Sequence, residues 1–275
     1  MRRLTRALAL SLAAAGCSAA SGNPPHDAAA TLVRMVARDF AFQGGHTVPA
    51  GLVAFRLVNL GRATHMMGIA RLDSGKTLSD VVRAAQAGAA MPWLSGLGGP
   101  GPVAPGDSVT NYLVLQPGTY FIGCYWPDST GKEHAALGMI TTLTVTGQDA
   151  GAPALPTPDV YVRETDYHIA MPDTLRAGHH VFRTDNDGPH EHDLAILRLL
   201  PGATEAQVQQ WLDKPTLSHA PVEAVGGTVG VERWVPSEFA LDLQPGRYLF
   251  VCLMSDETSS APHYKRGMSR TVIVE

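Results

Sequence analysis

Apolar and polar residues alternate with a period of two along most of this chain, the spacing that sets one face of a strand against a core. Val53, Phe55 and Leu57 fall on one side, and Tyr120, Ile122 and Cys124 do so again further on. The same alternation returns at Tyr248, Phe250 and Cys252. Closing strands are predicted at 140–145 and 271–274. Only two stretches carry a helical pattern, 78–87 after Ser74-Gly75 and 204–212 after Pro201-Gly202. The pattern predicts an all-β protein with two short helical insertions.

The predicted elements recur in order. Ala50-Gly51 matches Ala177-Gly178 at an offset of 127, which also pairs Phe40 with Tyr167, Asn59 with Asn186, Gly61 with Gly188 and His65 with His192. The offset becomes 128 for Gly98-Gly99 with Gly226-Gly227, Tyr120 with Tyr248 and Cys124 with Cys252. It reaches 129 for His134 with His263 and Met139 with Met268. Two single-residue insertions over so long a register indicate two copies of one domain. The expected division is a leader at 1–22, a first domain at 23–146, a Gly-, Ala- and Pro-rich linker at 147–159 and a second domain at 160–275.

Composition narrows the picture. The 275 residues are 45% hydrophobic and 17% charged, which suits packed cores. Arg2, Arg3 and Arg6 precede an apolar run too short to span a bilayer, the order of an export signal. Leu12-Ala13-Ala14-Ala15-Gly16-Cys17 resembles a bacterial lipobox, which implies lipidation at Cys17; ordinary cleavage near Ala20 is the alternative. Either outcome places the mature chain outside the cytoplasm, in the periplasm or cell envelope, held to the membrane by lipid only and with no transmembrane helix. Without the leader, 18 basic residues face 25 acids, a formal charge of −7 that excludes a nucleic-acid partner.

Four residue types then recur together. His65, Met67 and Ile69 share a face, as do His192, Leu194 and Ile196, so each histidine points inward, and so does each of Cys124 and Cys252 at the end of its strand. A loop follows each cysteine and carries a histidine with a methionine five residues later: His134 with Met139, His263 with Met268. Two His, one Cys and a weak axial Met form the ligand set of a blue-copper centre, in which soft sulfur suits Cu(I) and imidazole suits both oxidation states.

At these residues the chain resembles the cupredoxin family, its plastocyanin-like branch in particular. Asn59-x-Gly61-x3-His65 and Asn186-x-Gly188-x3-His192 are similar to the family's first-ligand segment. Pro117-Gly118-x-Tyr120-x3-Cys124 and Pro245-Gly246-x-Tyr248-x3-Cys252 are similar to its cysteine strand, and Pro262-His263-x3-Gly267-Met268 to its ligand loop. The resemblance implies two tandem Greek-key β-sandwiches, each with a short helical insertion and one type 1 copper. The implied ligands are His65, Cys124, His134 and Met139 in the first and His192, Cys252, His263 and Met268 in the second. The implied role is electron transfer with a redox protein partner that the sequence does not identify. Nine residues separate Cys124 from His134 and ten separate Cys252 from His263, more than the family's usual loop. Such loops either fold aside or make an excursion through 126–131 and 255–259 that returns the histidine.

Competing readings are a structural or interaction module of the same fold without redox copper, and a subunit of a copper-dependent oxidoreductase. No nucleophile elbow, phosphate loop or zinc-hydrolase pattern occurs, so an electron carrier is expected rather than an enzyme. No histidine adjoins either cysteine to relay electrons to a second copper. His190 is expected at the surface beside a ligand, and His179-His180 in solvent. Lys265 and Arg266 in the second ligand loop, against Glu133 before His134 in the first, lead to the expectation of a higher reduction potential at the second centre.

Overall fold

The computed structural model describes residues 30–148, 151, 153–214, 220–256 and 261–275. The leader, Cys17, the start of the first expected domain and residues 257–259 of the second excursion lie outside the described residues. The first half holds β1 (Thr31–Arg38), β2 (Ala41–Gln43), β3 (Thr47–Pro49), β4 (Gly51–Asn59), β5 (Gly68–Leu72), α1 (Leu78–Ala87), β6 (Leu94–Gly98), β7 (Ser108–Leu115), β8 (Gly118–Gly123) and β9 (Ile140–Thr146). The second holds β10 (Val160–Thr165), β11 (His168–Ala170), β12 (Thr174–Leu175), β13 (Gly178–Asn186), β14 (His192–Leu199), α2 (Glu205–Asp213), β15 (Val222–Val231), β16 (Ser237–Leu243), β17 (Gly246–Val251) and β18 (Ser269–Val274). Among the described residues the structure is β apart from these two α-helices and two short 3-10 turns at His134–Leu137 and His263–Arg266.

Both helices start on the same device. Thr77 and Thr204 accept a bond from the backbone N–H three residues on, and the side-chain oxygens of Asp80 and Gln207 accept from the threonine N–H in return, a capping box that satisfies two otherwise orphaned donors. Helix α1 coincides with the sequence expectation, and α2 is displaced from it by one residue.

Each half has its own five-stranded sheet, ordered β3-β9-β8-β5-β6 and β12-β18-β17-β14-β15. The remaining strands form one eight-stranded sheet, ordered β11-β10-β13-β16-β7-β4-β1-β2, that runs through both halves. The expectation of two tandem sandwiches did not include a sheet shared between them. Strands β7 and β16 would otherwise leave open edges of unpaired backbone groups, and they satisfy one another antiparallel at Glu238–Tyr112, Phe239–Asn111 and Ala240–Thr110. A second seam joins the halves where Gly101 N–H donates to Gly227 O and Val229 N–H to Gly99 O, at 3.0 and 3.1 Å. Gly99 and Gly227 have positive φ, and a Cβ on either would collide with the carbonyl of Met67 or Leu194.

The inward positions read from the alternation pack together. Val53, Phe55 and Leu57 are fully buried with Met35, Tyr120 and Ile122, in a cluster that continues through Phe182, Phe239 and Phe250 of the second half. Strand β4 is also buried on its other face, where Leu52 and Ala54 meet Tyr112, Val181 and Ala240, with Leu155 of the linker packed against them. Among the described linker residues, Asp159 accepts from Val181 N–H and bonds His180 at 2.6 Å. That corrects one expectation: His180 is buried, its other nitrogen on Arg176 O, while His179 is exposed beside Asp242. Among the described residues, no helix is long and apolar enough to cross a membrane.

Candidate metal centres

The first centre is assembled from three segments. His65 follows β4 on a short loop that Asn59 clamps: its amide donates to the carbonyls of Ala63 and Val103, both at 2.8 Å, and its oxygen accepts from Gly61 N–H. Asn186 does the same for His192 with His190 O, Val231 O and Gly188 N–H. This accounts for the Asn-x-Gly spacing. Gly61 itself is required by close approach, since a Cβ there would stand 2.5 Å from Asp39 Oδ1 and 2.7 Å from His65 Nε2. Cys124 and Cys252 directly follow β8 and β17, strands pinned at their far ends by a tyrosine whose hydroxyl donates to the carbonyl four residues back, Tyr120 to Gln116 and Tyr248 to Gln244, each at 2.7 Å.

The long loops return their histidines. Pro127 bridges Glu133 and Ser255 bridges Pro262, closing each excursion at its neck, and Asp128 fastens the first by accepting from Thr130 and Lys132 N–H. Beyond the neck, Cys124 O accepts from Ala135 N–H and Cys252 O from Tyr264 N–H. A short 3-10 turn then ends on Gly138 or Gly267, both with positive φ, and redirects the chain so that Met139 and Met268 lie fully buried with their carbonyls on the cysteine N–H groups.

The outcome is two buried His–Cys–His groups whose donor atoms lie within 4.8 Å of one another: His65, Cys124 and His134; His192, Cys252 and His263. In the first, the two Nδ1 atoms are 3.1 Å apart, and Cys124 Sγ is 3.9 Å from His65 and 3.5 Å from His134. In the second the corresponding distances are 3.1, 3.8 and 3.4 Å. Such edges suit ligands sharing one ion at bond lengths of about 2.0 to 2.3 Å. Both cysteines are free and buried, each in its own group, so no disulfide links the halves.

Two carboxylates missed in the sequence complete the arrangement. Asp39 Oδ1 lies 2.9 Å from His65 Nε2 and Asp166 Oδ1 lies 3.1 Å from His192 Nε2. Each holds the ring proton on Nε2 and leaves the Nδ1 lone pair facing the sulfur, the outer-shell device that orients a metal-binding imidazole. Asp39 and Asp166 are related by the same offset as Phe40 and Tyr167, the adjacent pair; that repeat was the available signal. His190 stays at the surface beside the ligand His192, its side chain 36% exposed, and there it bonds Asp166 Oδ2 at 2.5 Å and stacks beside Tyr167.

Aromatic rings cover the second histidine of each group. Phe40 lies 4.8 Å from His134 and Tyr167 5.1 Å from His263, ring centre to ring centre. Tyr167 in turn donates to Asp256 at 2.6 Å and lies beneath Arg266.

Burial sets the protonation states. It lowers His65 despite the opposing pull of Asp39, and it lowers His134 and His192 to about 4, with a neighbouring imidazole adding to the effect. It raises the Cys124 thiol to about 11 and the Cys252 thiol well above its ordinary value, Asp193 and Glu164 adding to the latter. Asp39 falls to about 2, because bonds from His65, Arg62 and Ala63 outweigh its burial. Neutral imidazoles and a thiol that must lose its proton to bind are the donor set of a soft or borderline transition ion.

No family model and no curated protein matches the chain. Among solved structures, it is similar to Na-dithionite reduced auracyanin from the photosynthetic bacterium Roseiflexus castenholzii, at 22% identity over 43% of this chain and 98% of that one, with a TM-score of 0.32. Auracyanin A, a "blue" copper protein from the green thermophilic photosynthetic bacterium Chloroflexus aurantiacus, matches at 19% identity over 42% of this chain and 98% of that one, TM-score 0.31. The blue copper oxidase from Nitrosomonas europaea spans 89% of this chain and 85% of its own at 15% identity, TM-score 0.27. Likeness this distant leaves the chemistry to the donor atoms themselves.

Proposed function

We propose that this is an exported electron-transfer protein with one type 1 copper in each half, each half being a cupredoxin-like unit. The observation that carries the reading is the repeated triangle of two bare Nδ1 atoms and one buried thiol, with a carboxylate fixing the tautomer of the first imidazole. His65, Cys124 and His134 would hold one ion and His192, Cys252 and His263 the other, with Met139 and Met268 as the weak fourth ligands. Bound copper supplies one-electron exchange between Cu(I) and Cu(II). Asp39 and Asp166 keep the proton off the binding nitrogens, the loop necks hold the second histidines in place, and Phe40 and Tyr167 keep water from their rings. No histidine adjoins either cysteine, whose neighbours are Gly123, Tyr125, Val251 and Leu253. That favours a carrier over a catalytic oxidoreductase, and the bare donor triangles favour a copper site over a metal-free interaction module. The apolar leader and Cys17 support export and a lipid anchor in the periplasm or cell envelope; Cys17→Ser should release the protein to the soluble fraction.

Titration of the metal-free protein with Cu(II) should take up about two equivalents and develop the intense visible band of thiolate-to-copper charge transfer. Cys124→Ser and Cys252→Ser should each remove one equivalent and leave the other. Absence of the band, or loss of both sites on either change, would overturn the reading.

A further inference from the structure

The turns that lead into the two seam strands are built alike and filled differently. Before β7, Asp107 N–H donates to Ala104 O and Gly106 N–H to Asn59 O; before β16, Val235 N–H donates to Glu232 O and Trp234 N–H to Asn186 O. The third residue of each turn has positive φ, 94° at Gly106 and 64° at Trp234. Glycine adopts that conformation freely, whereas a side chain as bulky as tryptophan is strained in it. A residue kept against strain points to a use, and the interior does not supply one. Trp234 is 66% exposed and, among the described residues, belongs to no apolar cluster. The Arg233 guanidinium lies over its ring at 4.7 Å and forms no ion pair among the described residues, and Val235 on the other side is exposed as well.

Position separates the two turns. Strand β1 is parallel to β4, β4 antiparallel to β7 and β7 antiparallel to β16, so β1 and β16 run in one direction and start at the same end of the eight-stranded sheet. Leu32, Ala54, Tyr112 and Glu238 form one row across it, which sets Leu32 three strand spacings from Glu238, about 15 Å. The Trp234 turn therefore stands at the end where the chain arrives from Cys17. The Gly106 turn leads into the oppositely running β7 and stands at the other end. Of the two equivalent turns, the one on the entry side carries the indole and the cation. Leu32, at that same end, is 64% exposed. Fourteen residues lead from Cys17 to Thr31, a reach of at most about 50 Å, so a membrane holding a lipid at Cys17 is within range of this surface.

We propose that this end of the sheet rests on the membrane, with the Trp234 indole in the headgroup region, Arg233 on a lipid phosphate, and Val235 and Leu32 against the lipid boundary. Tryptophan is favoured at such a boundary because its ring is apolar while its N–H still finds a hydrogen-bond partner, and the arginine beside it reaches phosphate oxygens. The partner is a bilayer of zwitterionic phospholipid: the charge of −7 beyond the leader, 18 bases against 25 acids, opposes approach to a strongly anionic one. The proposal rests on the lipid anchor at Cys17 and is independent of copper.

Tryptophan fluorescence of the metal-free lipidated protein tests it, in vesicles of phosphatidylethanolamine and phosphatidylcholine with and without brominated acyl chains, which quench only indoles at the bilayer. Trp234→Gly keeps Trp93, Trp126 and Trp211, so the difference between the two proteins isolates Trp234. Brominated lipid is expected to quench the wild-type emission and to leave that of Trp234→Gly unchanged. In the soluble Cys17→Ser protein, Trp234 should be open to aqueous acrylamide. Because glycine suits the turn, Trp234→Gly should hold or raise the Tm. An equal response of both proteins to brominated lipid would overturn the proposal and leave a protein partner as the occupant. Protection of Trp234 from acrylamide in the soluble protein would overturn it by showing that this chain or a second copy covers the ring, and a lower Tm in Trp234→Gly would overturn it by making the indole part of the packing. The anchor is read separately: wild-type protein found in the soluble cell fraction refutes lipidation at Cys17 and this proposal with it, whereas membrane-bound protein with an unquenched Trp234 refutes this proposal alone.

Discussion

A single proton decides the character of each centre. With Asp39 bound to Nε2 of His65, the opposite nitrogen is a ready ligand, and Asp39→Asn would let the ring choose either tautomer. Copper affinity at the first centre should fall about 10- to 100-fold, with the second centre unchanged, as read by competition with a chelator of known affinity. The buried thiols carry a second consequence. Imidazoles near 4 are already neutral at pH 6 to 8, whereas Cys124 stands near 11, so copper uptake should release about one proton per centre in that window and tighten as pH rises. Potentiometric titration in weak buffer would measure the release, and uptake without proton release would contradict the thiolate assignment. These residues were legible in the sequence because they recur; a lone buried Cys or His would have read as core. Asp39 and Asp166 recur at the same offset but stand where a turn acid is unremarkable. Only the fold brings them within reach of a ring 26 residues away in each half.

Strand β16 carries a group that the alternation does not anticipate. Glu238 is 1% exposed at the seam with β7; one oxygen stands 3.6 Å from Arg183, and the other has no bond among the described residues. Burial raises its carboxyl from an ordinary value of 4.5 to about 7, despite the opposing charge of Arg183. Below pH 4.5 both folded and unfolded states hold the proton and the group contributes no pH dependence. Between 4.5 and 7 the unfolded chain ionises first, so stability should fall with rising pH by about 1.4 kcal/mol per unit, then level off above 7. Glu238→Gln should flatten this slope, which thermal unfolding from pH 4 to 8 would show; an unchanged slope would mean that the carboxylate finds compensation in the folded state. Both helices were readable from periodicity, as were the strands through Val53 and Leu57, through Tyr120 and Ile122, and through Tyr248 and Phe250, with the two closing strands. Their pairing across the halves was not, because β7 and β16 alternate like any sandwich strand and nothing in their residues names the partner.

The two halves are copies in sequence but not in electrostatics, and this reverses the expectation drawn from the ligand loops. Lys265 is paired with Asp213 at 3.0 Å and Arg266 with Asp256 at 2.9 Å, so neither stands as a free cation beside the second centre. Asp193 is buried in the wall of a cleft between the halves rather than in solvent, with its carboxylate within hydrogen-bond reach of Cys252. Its N–H lies 3.4 Å from Cys252 Sγ and its carboxylate accepts from Leu253 N–H at 2.6 Å, whereas Met66 holds the matching place in the first half. Burial raises the Asp193 carboxyl to about 6, so it is ionised at pH 8 and favours the more highly charged metal. The first centre should therefore have the higher reduction potential, and Asp193→Asn should raise that of the second alone. Spectroelectrochemistry at pH 8 on the Cys124→Ser and Cys252→Ser proteins separates the two values; a higher potential at the second centre would restore the influence of the loop cations.

The seam between β7 and β16 has a geometry of its own. At the offset of 128, Asn111 and Phe239 are equivalent positions, and they face one another with Thr110 opposite Ala240 and Tyr112 opposite Glu238. Gly101 and Val229 are also equivalent, and each donates to the other half's matching glycine carbonyl. A direct repeat along the chain has become a local dyad in space, the relation between subunits of a symmetric dimer. In a true dimer, whatever residue stands on the axis must tolerate its own copy. Tethering removes that constraint: an amide can meet a phenyl ring, and a carboxylate can lie under an arginine on one side only. The unlike neighbours of the two centres are the freedom that a covalently joined pair has and a homodimer lacks.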